Sequence, residues 1–241
     1  MAQKIFKLGT IESKIKGGKM SQQRRREDPE KYRQLGCNVR KIFKPPRYSK
    51  ELAEVIGIIL GDGSISKYQV RISLDRHRDR EYAEFVTDAM GIVFGERPTQ
   101  IIYKEHNVLA LTISGVGLVE MLEGIGMQRG DKIRHQVSFP QWIREDLDYS
   151  TACVRGLFDT DGGLYFHKKK QRDYLGWCFA SFSTPLLSDV MNTLQKLGFN
   201  VKKSGVHKLY MYSLKNISRY FEIVGSHNPK NIVKLELRRG A

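Results

Sequence analysis

The sequence runs to 241 residues, enough for one large or two small domains with a real core, and its 41 basic against 26 acidic residues give a formal charge of +15. That balance points to a polyanionic partner. Cys37, Cys153 and Cys178 are odd in number, without CxxC spacing or a histidine at zinc-finger distance, so free thiols in a reducing cytoplasm are expected. Met1 to Met20 never reaches an apolar h-region and no run approaches a membrane span, so neither a secretory signal nor membrane association is expected. The expected setting is cytoplasmic and nucleoid-associated, or organellar in a eukaryote.

Taken in chain order, the charge is concentrated at the start. Residues 1–50 hold 15 Lys and Arg against 4 Asp and Glu. Ile5, Leu8, Ile11 and Ile15 alternate weakly until Gly17-Gly18. Ser21 to Gly36 then reads as a short helix, with Asp28 able to cap, Pro29 suited to a first turn and Gly36 able to end it. It carries Arg24, Arg25, Arg26, Lys31 and Arg33. A solvated tail would look the same, but a basic arm on a nucleic-acid-binding body reads better as a contact to phosphates or an arginine inserted beside the main footprint. Lys41 to Arg47, with Pro45-Pro46, is an extended linker, so residues 1–47 form the arm.

Ser49 caps a predicted helix from Lys50 to Leu60 whose apolar run, Val55 to Leu60, ends in Gly61-Asp62-Gly63. An echo follows at Val154 to Gly162, in register: Gly57 and Gly156, and Asp62 and Asp161, are each 99 positions apart. Such self-similarity marks a duplication. Small residues four apart, Gly57/Gly61 and Gly156/Thr160, share one helix face and let two helices approach backbone to backbone. Each acid falls at a helix C-terminus, where the dipole is already negative. One Asp-Gly alone would be a helix-to-strand turn. Two, brought side by side, would repel strongly unless a divalent cation joined them, and hard oxygen donors suit magnesium.

Ser64 to Ser66 and Tyr68 to Leu74 form a predicted hairpin, with Val70, Ile72 and Leu74 on the core face and Gln69, Arg71 and Ser73 on the open face. Asp79 to Met90 is an amphipathic helix, Thr99 to Lys104 and Val108 to Ser114 a second hairpin, and Val116 to Ile125 a third helix. Residues 131–149 link the halves, with Trp142 as an anchor. The order repeats from Ser150, the expected cap of Thr151 to Thr160: strands Leu164 to Lys168 and Leu175 to Phe182 around a basic loop ending at Arg172, helix Pro185 to Leu197, strands Asn200 to Lys203 and Lys208 to Ser213, and helix Ile217 to Val224. The halves are thus 48–130 and 150–235, with 236–241 an uninformative tail. Even offsets from the two acids place Ser66, Tyr68, Tyr165, His167 and Lys169 on open faces. Arg71, Lys104, Arg172, Lys203, His207, Tyr210 and Tyr212 are further candidate base or phosphate contacts.

The paired motif, its spacing and its retained acids make residues 48 to 235 resemble the LAGLIDADG homing endonucleases of the single-chain, two-motif type. The resemblance implies an α/β (α+β) fold of two pseudo-twofold-related halves, each helix-strand-strand-helix-strand-strand-helix, forming a saddle on DNA. It further implies a monomer that makes a double-strand break with short 3′ overhangs in a long duplex target, in the service of intron mobility. Asp62 and Asp161 would hold Mg²⁺, with Mn²⁺ as an alternative and Ca²⁺ as a non-cleaving substitute, and the carbonyls of Gly61 and Thr160 would be additional ligands. Many members place a lysine beside each acid near a strand end. Here those stretches read Leu74 to Arg78 and Ser181 to Thr184, so Arg76 or Arg78 would balance charge in the first half and the second offers no lysine. The alternatives are an RNA splicing maturase, with host intron RNA as partner, and a DNA-binding regulator of the same fold that does not cut. An intein is disfavoured, because Met1 is no splicing nucleophile and His227-Asn228 is followed by Pro229.

Overall fold

The computed structural model describes residues 10–37, 39–169 and 172–239, leaving aside the side chains of 168, 169, 172, 173 and 239. The chain divides into two units, residues 1–42 and 43–241. In the first, α1 (Ile11–Glu27) opens at Thr10, whose hydroxyl accepts from the Ser13 amide at 3.3 Å. Asp28 then accepts from the Lys31 amide at 3.2 Å and caps α2 (Pro29–Gln34). The helix expected from Ser21 therefore starts ten residues earlier and is divided at Asp28. Gly17 and Gly18 pass through α1 because glycine weakens a helix without forbidding one. No residue of either helix is buried. Arg24, Arg25 and Arg26 lie in the last turn of α1, where cations complement the dipole.

The second unit repeats one order twice. Its first half runs α3 (Lys50–Leu60), β1 (Gly63–Ile65), β2 (Gln69–Asp75), α4 (Arg80–Phe94), β3 (Thr99–Tyr103), β4 (Val108–Ser114) and α5 (Val116–Gly124). A connector carrying α6 (Gln141–Glu145) leads to α7 (Leu147–Asp161), β5 (Gly162–Lys169), β6 (Arg172–Ala180), α8 (Thr184–Lys196), β7 (Lys202–Ser204), β8 (Lys208–Met211) and α9 (Leu214–Ile223), followed by α10 (Pro229–Arg239). Two four-stranded antiparallel sheets result, ordered β1-β2-β4-β3 and β5-β6-β8-β7. Among the described residues no helix is long and apolar enough to cross a membrane.

Pattern explains placement. Val70, Ile72 and Leu74 of β2 pair with Ile113, Leu111 and Leu109 of β4, and all six are buried against α3, α4 and α5. In the second half Trp177 and Phe179 of β6 fill the same role, with Phe158 of α7 stacked on Trp177 at 5.4 Å between ring centres. Trp142 anchors the connector as expected: its indole N–H donates to the Ile125 carbonyl at 3.1 Å, and its ring stacks on Tyr48 at 4.2 Å.

One expectation fails. Ser150 does not cap α7; Asp146 does, accepting from the Tyr149 amide at 2.9 Å, while Ser150 is buried inside the helix and donates to the Ile143 carbonyl at 2.6 Å. Both residues are good caps, and the earlier one begins the helix. The stretch after α9, which the sequence reading left without an element, is ordered as well. Pro229 starts α10, Leu235 is buried, and Lys234 donates to the Leu164 carbonyl at 2.8 Å.

Candidate functional site

Helices α3 and α7 meet along their glycines. A methyl group built on Gly57 would overlap the Cys153 carbonyl oxygen, one on Gly156 the Glu54 carbonyl oxygen, and one on Gly61 the Thr160 hydroxyl. The two backbones therefore touch at Gly57 and Gly156, and at Gly61 the Thr160 side chain fills the space a methyl would need. Thr160 fits because its hydroxyl folds back onto its own helix, donating to the Gly156 and Leu157 carbonyls at 3.0 Å each.

The contact delivers the two acids together. Burial and then the negative charge of Asp161 push the Asp62 carboxyl from 3.8 up to about 6, with Lys230 and Lys132 pulling the other way. Asp161 reaches the surface, yet the protein around it still raises its carboxyl by burial, against the pull of Lys132. Lys132 itself donates to the Leu60 carbonyl at 2.9 Å and makes a short contact to the Gly61 carbonyl. Burial lowers its ammonium pKa, and the charges of Asp161 and Asp62 partly offset that fall. A cleft of about 610 Å³ takes in Gly61, Lys132, Asp161, Phe182, His207 and Lys208. Two carboxyls and a carbonyl already engaged by an ammonium form a set of hard oxygen donors that fits a divalent ion.

The second cation is Lys230, in the first turn of α10. It donates to Asp79 at 3.0 Å, and its charge acts on Asp62. Its loop is held from below. Asn228 donates to Asp79 at 3.1 Å and to the Asp159 carbonyl at 3.0 Å, and the His227 amide donates to the Asp159 carboxylate at 2.7 Å. Buried Glu54 accepts from Arg155 at 2.5 Å and meets His227 Nδ1 at 2.6 Å. Burial works to raise the Glu54 carboxyl, but these two partners outweigh it and hold it below the usual range. Glu54, Asp159 and His227 lie close enough to cage an ion. Their oxygens are already committed to protein donors, however, which makes the cluster a buried lock between α3, α7 and the α9–α10 loop.

Neither lysine was among the residues singled out in the sequence. The signal was present in the repeat: Gly126 and Gly225, and Ile133 and Ile232, are again 99 apart, which sets Lys132 opposite Asn231 and one place from Lys230. Arg76 instead donates to His77 at 2.9 Å and lines, with Arg80 and Lys104, a separate cleft of about 550 Å³ beside β3 and α4. Arg78 is exposed, its amide held by Asp75 at 2.8 Å.

Strand register sorts the other candidates. Gln69, Arg71 and Ser73 pair with Ser114, Thr112 and Ala110 on the open face of the first sheet, and Arg71 lies 5.9 Å from the Tyr103 ring centre. Tyr165, His167 and Tyr210 pair with Gly176, Tyr174 and Cys178 on the open face of the second. There the Tyr165 and Tyr212 hydroxyls share a 3.2 Å hydrogen bond, and His167 packs at 5.1 Å from Tyr212 and 5.5 Å from Tyr174. Lys203, Ser66, Tyr68 and Lys104 are placed otherwise than the sequence reading has them. Lys203 pairs with buried Leu209, so it projects on the core side and Lys202, opposite Tyr210, takes the open face. The strand starts at Lys202 and not Asn200, and pairing fixes the face. Ser66 and Tyr68 belong to the β1–β2 turn, where the Ser66 hydroxyl donates to the Gln69 carbonyl at 3.2 Å. Lys104 lies in the turn after β3. His207 precedes β8 and lines the acid cleft. The side chains of Lys169 and Arg172 lie outside the described residues.

Residues 148–225 match the family model described as a LAGLIDADG-like domain. The match falls within the second half. The chain is 24% identical over 211 residues to the tRNA-splicing ligase RtcB of Methanopyrus kandleri, a match covering 76% of this chain and 21% of that protein. It is 21% identical over 205 residues to the replication factor C small subunit of Methanocaldococcus jannaschii, covering 80% and 10%. The chain thus spans a tenth to a fifth of the length of these curated relatives. Among solved structures it is similar to I-DmoI in complex with DNA and Mn (17% identity, 73% of this chain, 96% of that one, TM-score 0.51). It is also similar to the LAGLIDADG meganuclease I-AabMI bound to uncleaved DNA (11%, 80%, 92%, TM-score 0.50) and to full-length DUF199/WhiA from Thermatoga maritima (17%, 80%, 62%, TM-score 0.50). At these identities the likeness establishes the fold, a LAGLIDADG arrangement of two α/β halves.

Proposed function

We propose that this chain is a site-specific endonuclease that hydrolyses both strands of a DNA duplex with a divalent metal held by Asp62 and Asp161. One observation carries the reading: two carboxyls with raised pKa values stand together at the ends of helices in backbone contact, in a strongly basic chain. The DNA in the I-DmoI and I-AabMI structures, and the manganese in the former, support the same partner and the same class of ion here. Asp62, Asp161 and the Gly61 carbonyl would hold the ion, with Mg²⁺ the expected species. Bound there, a divalent cation supplies Lewis acidity toward a phosphodiester and lowers the pKa of a water.

The protein's own groups do the rest. Lys132, whose charge acts on both acids, and Lys230, whose charge acts on Asp62, are placed to offset charge that builds on a phosphate during displacement. The open faces of the two sheets offer Gln69, Arg71 and Ser73 on one side and the Tyr165, His167, Tyr210 and Tyr212 group on the other to base edges. Because α3 spends its glycine face on α7, a single chain completes the acid pair and acts as a monomer. Two proteins as unlike as an RNA ligase and a replication factor each match this segment over a small part of their length, which supports a mobile module that inserts into hosts, the role of a homing endonuclease.

Incubation with a randomised duplex library in Mg²⁺, followed by sequencing of cut ends, tests the reading. Asp62→Asn and Asp161→Asn are each expected to abolish double-strand cuts while leaving duplex binding in Ca²⁺ intact. Wild-type protein that binds duplexes tightly and cuts none would favour the regulator.

A further inference from the structure

The acid cleft has an apolar rim that its chemistry does not require. Phe182 is 63% exposed and Ile133 55% exposed, and both border the space that holds Asp161, Lys132 and Lys208. Neither is loosely presented. The Gln136 side-chain amide donates to the Ile133 carbonyl at 2.7 Å and to the Phe182 carbonyl at 3.2 Å, while its oxygen accepts from the Thr184 amide at 3.0 Å. Gln136 reaches these partners from a left-handed backbone, φ +47°, which costs a non-glycine residue energy and marks a position the surroundings over-determine. The Ser183 hydroxyl donates to the Val137 carbonyl at 2.5 Å, and Asp131 accepts from the Ile133 and Arg134 amides at 2.9 and 3.0 Å. Behind the phenyl ring, His207 packs at 4.7 Å. Hydrogen bonds thus brace two loops so that each holds a large apolar side chain outward, next to a catalytic carboxyl.

We propose that Phe182 and Ile133 form a wedge that enters the minor groove of the bound duplex beside the scissile phosphates and opens one base step there. The proposal rests on the endonuclease reading and names what meets this part of the site. The flanking charge selects the occupant: Lys132 and Lys208 suit the phosphate rails, and only the stacked bases between those rails offer apolar surface to a phenyl and a sec-butyl group. Side chains of this kind unstack a step and kink the duplex, and flexible pyrimidine–purine steps yield most readily. Selectivity at the centre of the target then arises without a hydrogen bond to any base.

The test uses a duplex recovered from a randomised library by binding to wild-type protein in Ca²⁺, with 2-aminopurine placed in turn at each central position. A several-fold rise in fluorescence is expected at one step with wild-type protein and with Phe182→Leu, and no rise with Phe182→Ala, whose affinity should fall by no more than about tenfold. Because Phe182 is mostly exposed, Phe182→Ala should melt with the wild type, which circular dichroism checks. No rise at any step in the wild-type complex, or an equal rise with Phe182→Ala, would overturn the wedge and leave the nuclease standing. Recovery of no duplex at all would overturn both.

Discussion

Replacing Gly57 by alanine sets two effects against each other. In an open helix interior the change stabilises by about 1 kcal/mol, because alanine gives up less backbone entropy. At Gly57 the new methyl would meet main chain, not a movable side chain: it overlaps the Cys153 carbonyl oxygen, with the carbonyl carbon at 3.0 Å and the Cys153 Cα at 3.2 Å. Only separation of α3 from α7 relieves that, and overpacking of this kind costs about 1–3 kcal/mol, toward the upper end where rigid atoms collide. The expected net loss is therefore about 2 kcal/mol. Urea unfolding followed by circular dichroism measures it, with Gly124→Ala as control, since a methyl at Gly124 meets nothing within 4 Å and should cost nothing. Separation also moves Asp62 away from Asp161, so cleavage should slow about a hundredfold, beyond what partial unfolding explains. A Gly57→Ala protein as stable as the control would refute backbone contact between the helices and, with it, the reason the acids meet.

Further outcomes follow from the charges. The Asp62 carboxyl holds its proton more tightly folded than unfolded, so the stability it costs is absent below about pH 4, grows as pH rises toward 6 and is complete above that. Asp62→Asn should therefore stabilise the protein in EDTA by about 2 kcal/mol at pH 7.5 and by almost nothing at pH 4; equal effects at both would contradict the repulsion. On an end-labelled target, Lys132→Met, which removes a charge acting on both acids, should slow both strands about a hundredfold, and Lys230→Met, which removes a charge acting on Asp62, should slow one strand more than the other, whereas unchanged rates would remove both lysines from the chemistry. Glu54→Gln should cost about 3 kcal/mol, because Arg155 and His227 would then face a neutral amide in a buried lock. A loss under about 0.5 kcal/mol would show those contacts to be incidental.

The duplication, the helix order and both acids were legible because they are written in local pattern: period-two alternation in Val70 to Leu74, glycines four apart, and a fixed offset between copies. What escaped depends on tertiary approach. Lys132 sits 70 positions after Asp62, in a connector whose composition advertises nothing, and reaches the site only because the chain after α5 folds back under α3. Lys230 lies past the last helix expected of the repeat, in a stretch to which the sequence reading assigned no element. Lys203 and Lys202 cannot be told apart without pairing, since a shift of one residue exchanges the faces of a strand. Ser150 and Asp146 are both competent caps, and packing around Ile143 chose between them.

The shared seam of α3 and α7 also acts as a ruler. Asp62 lies five positions after Gly57, and Asp161 five after Gly156. One residue inserted in either interval would swing its carboxyl about 100° around the helix axis. Hybrids that join a half of this chain to a half of another protein of this fold can therefore vary loops and sheets freely, but must inherit that count unchanged.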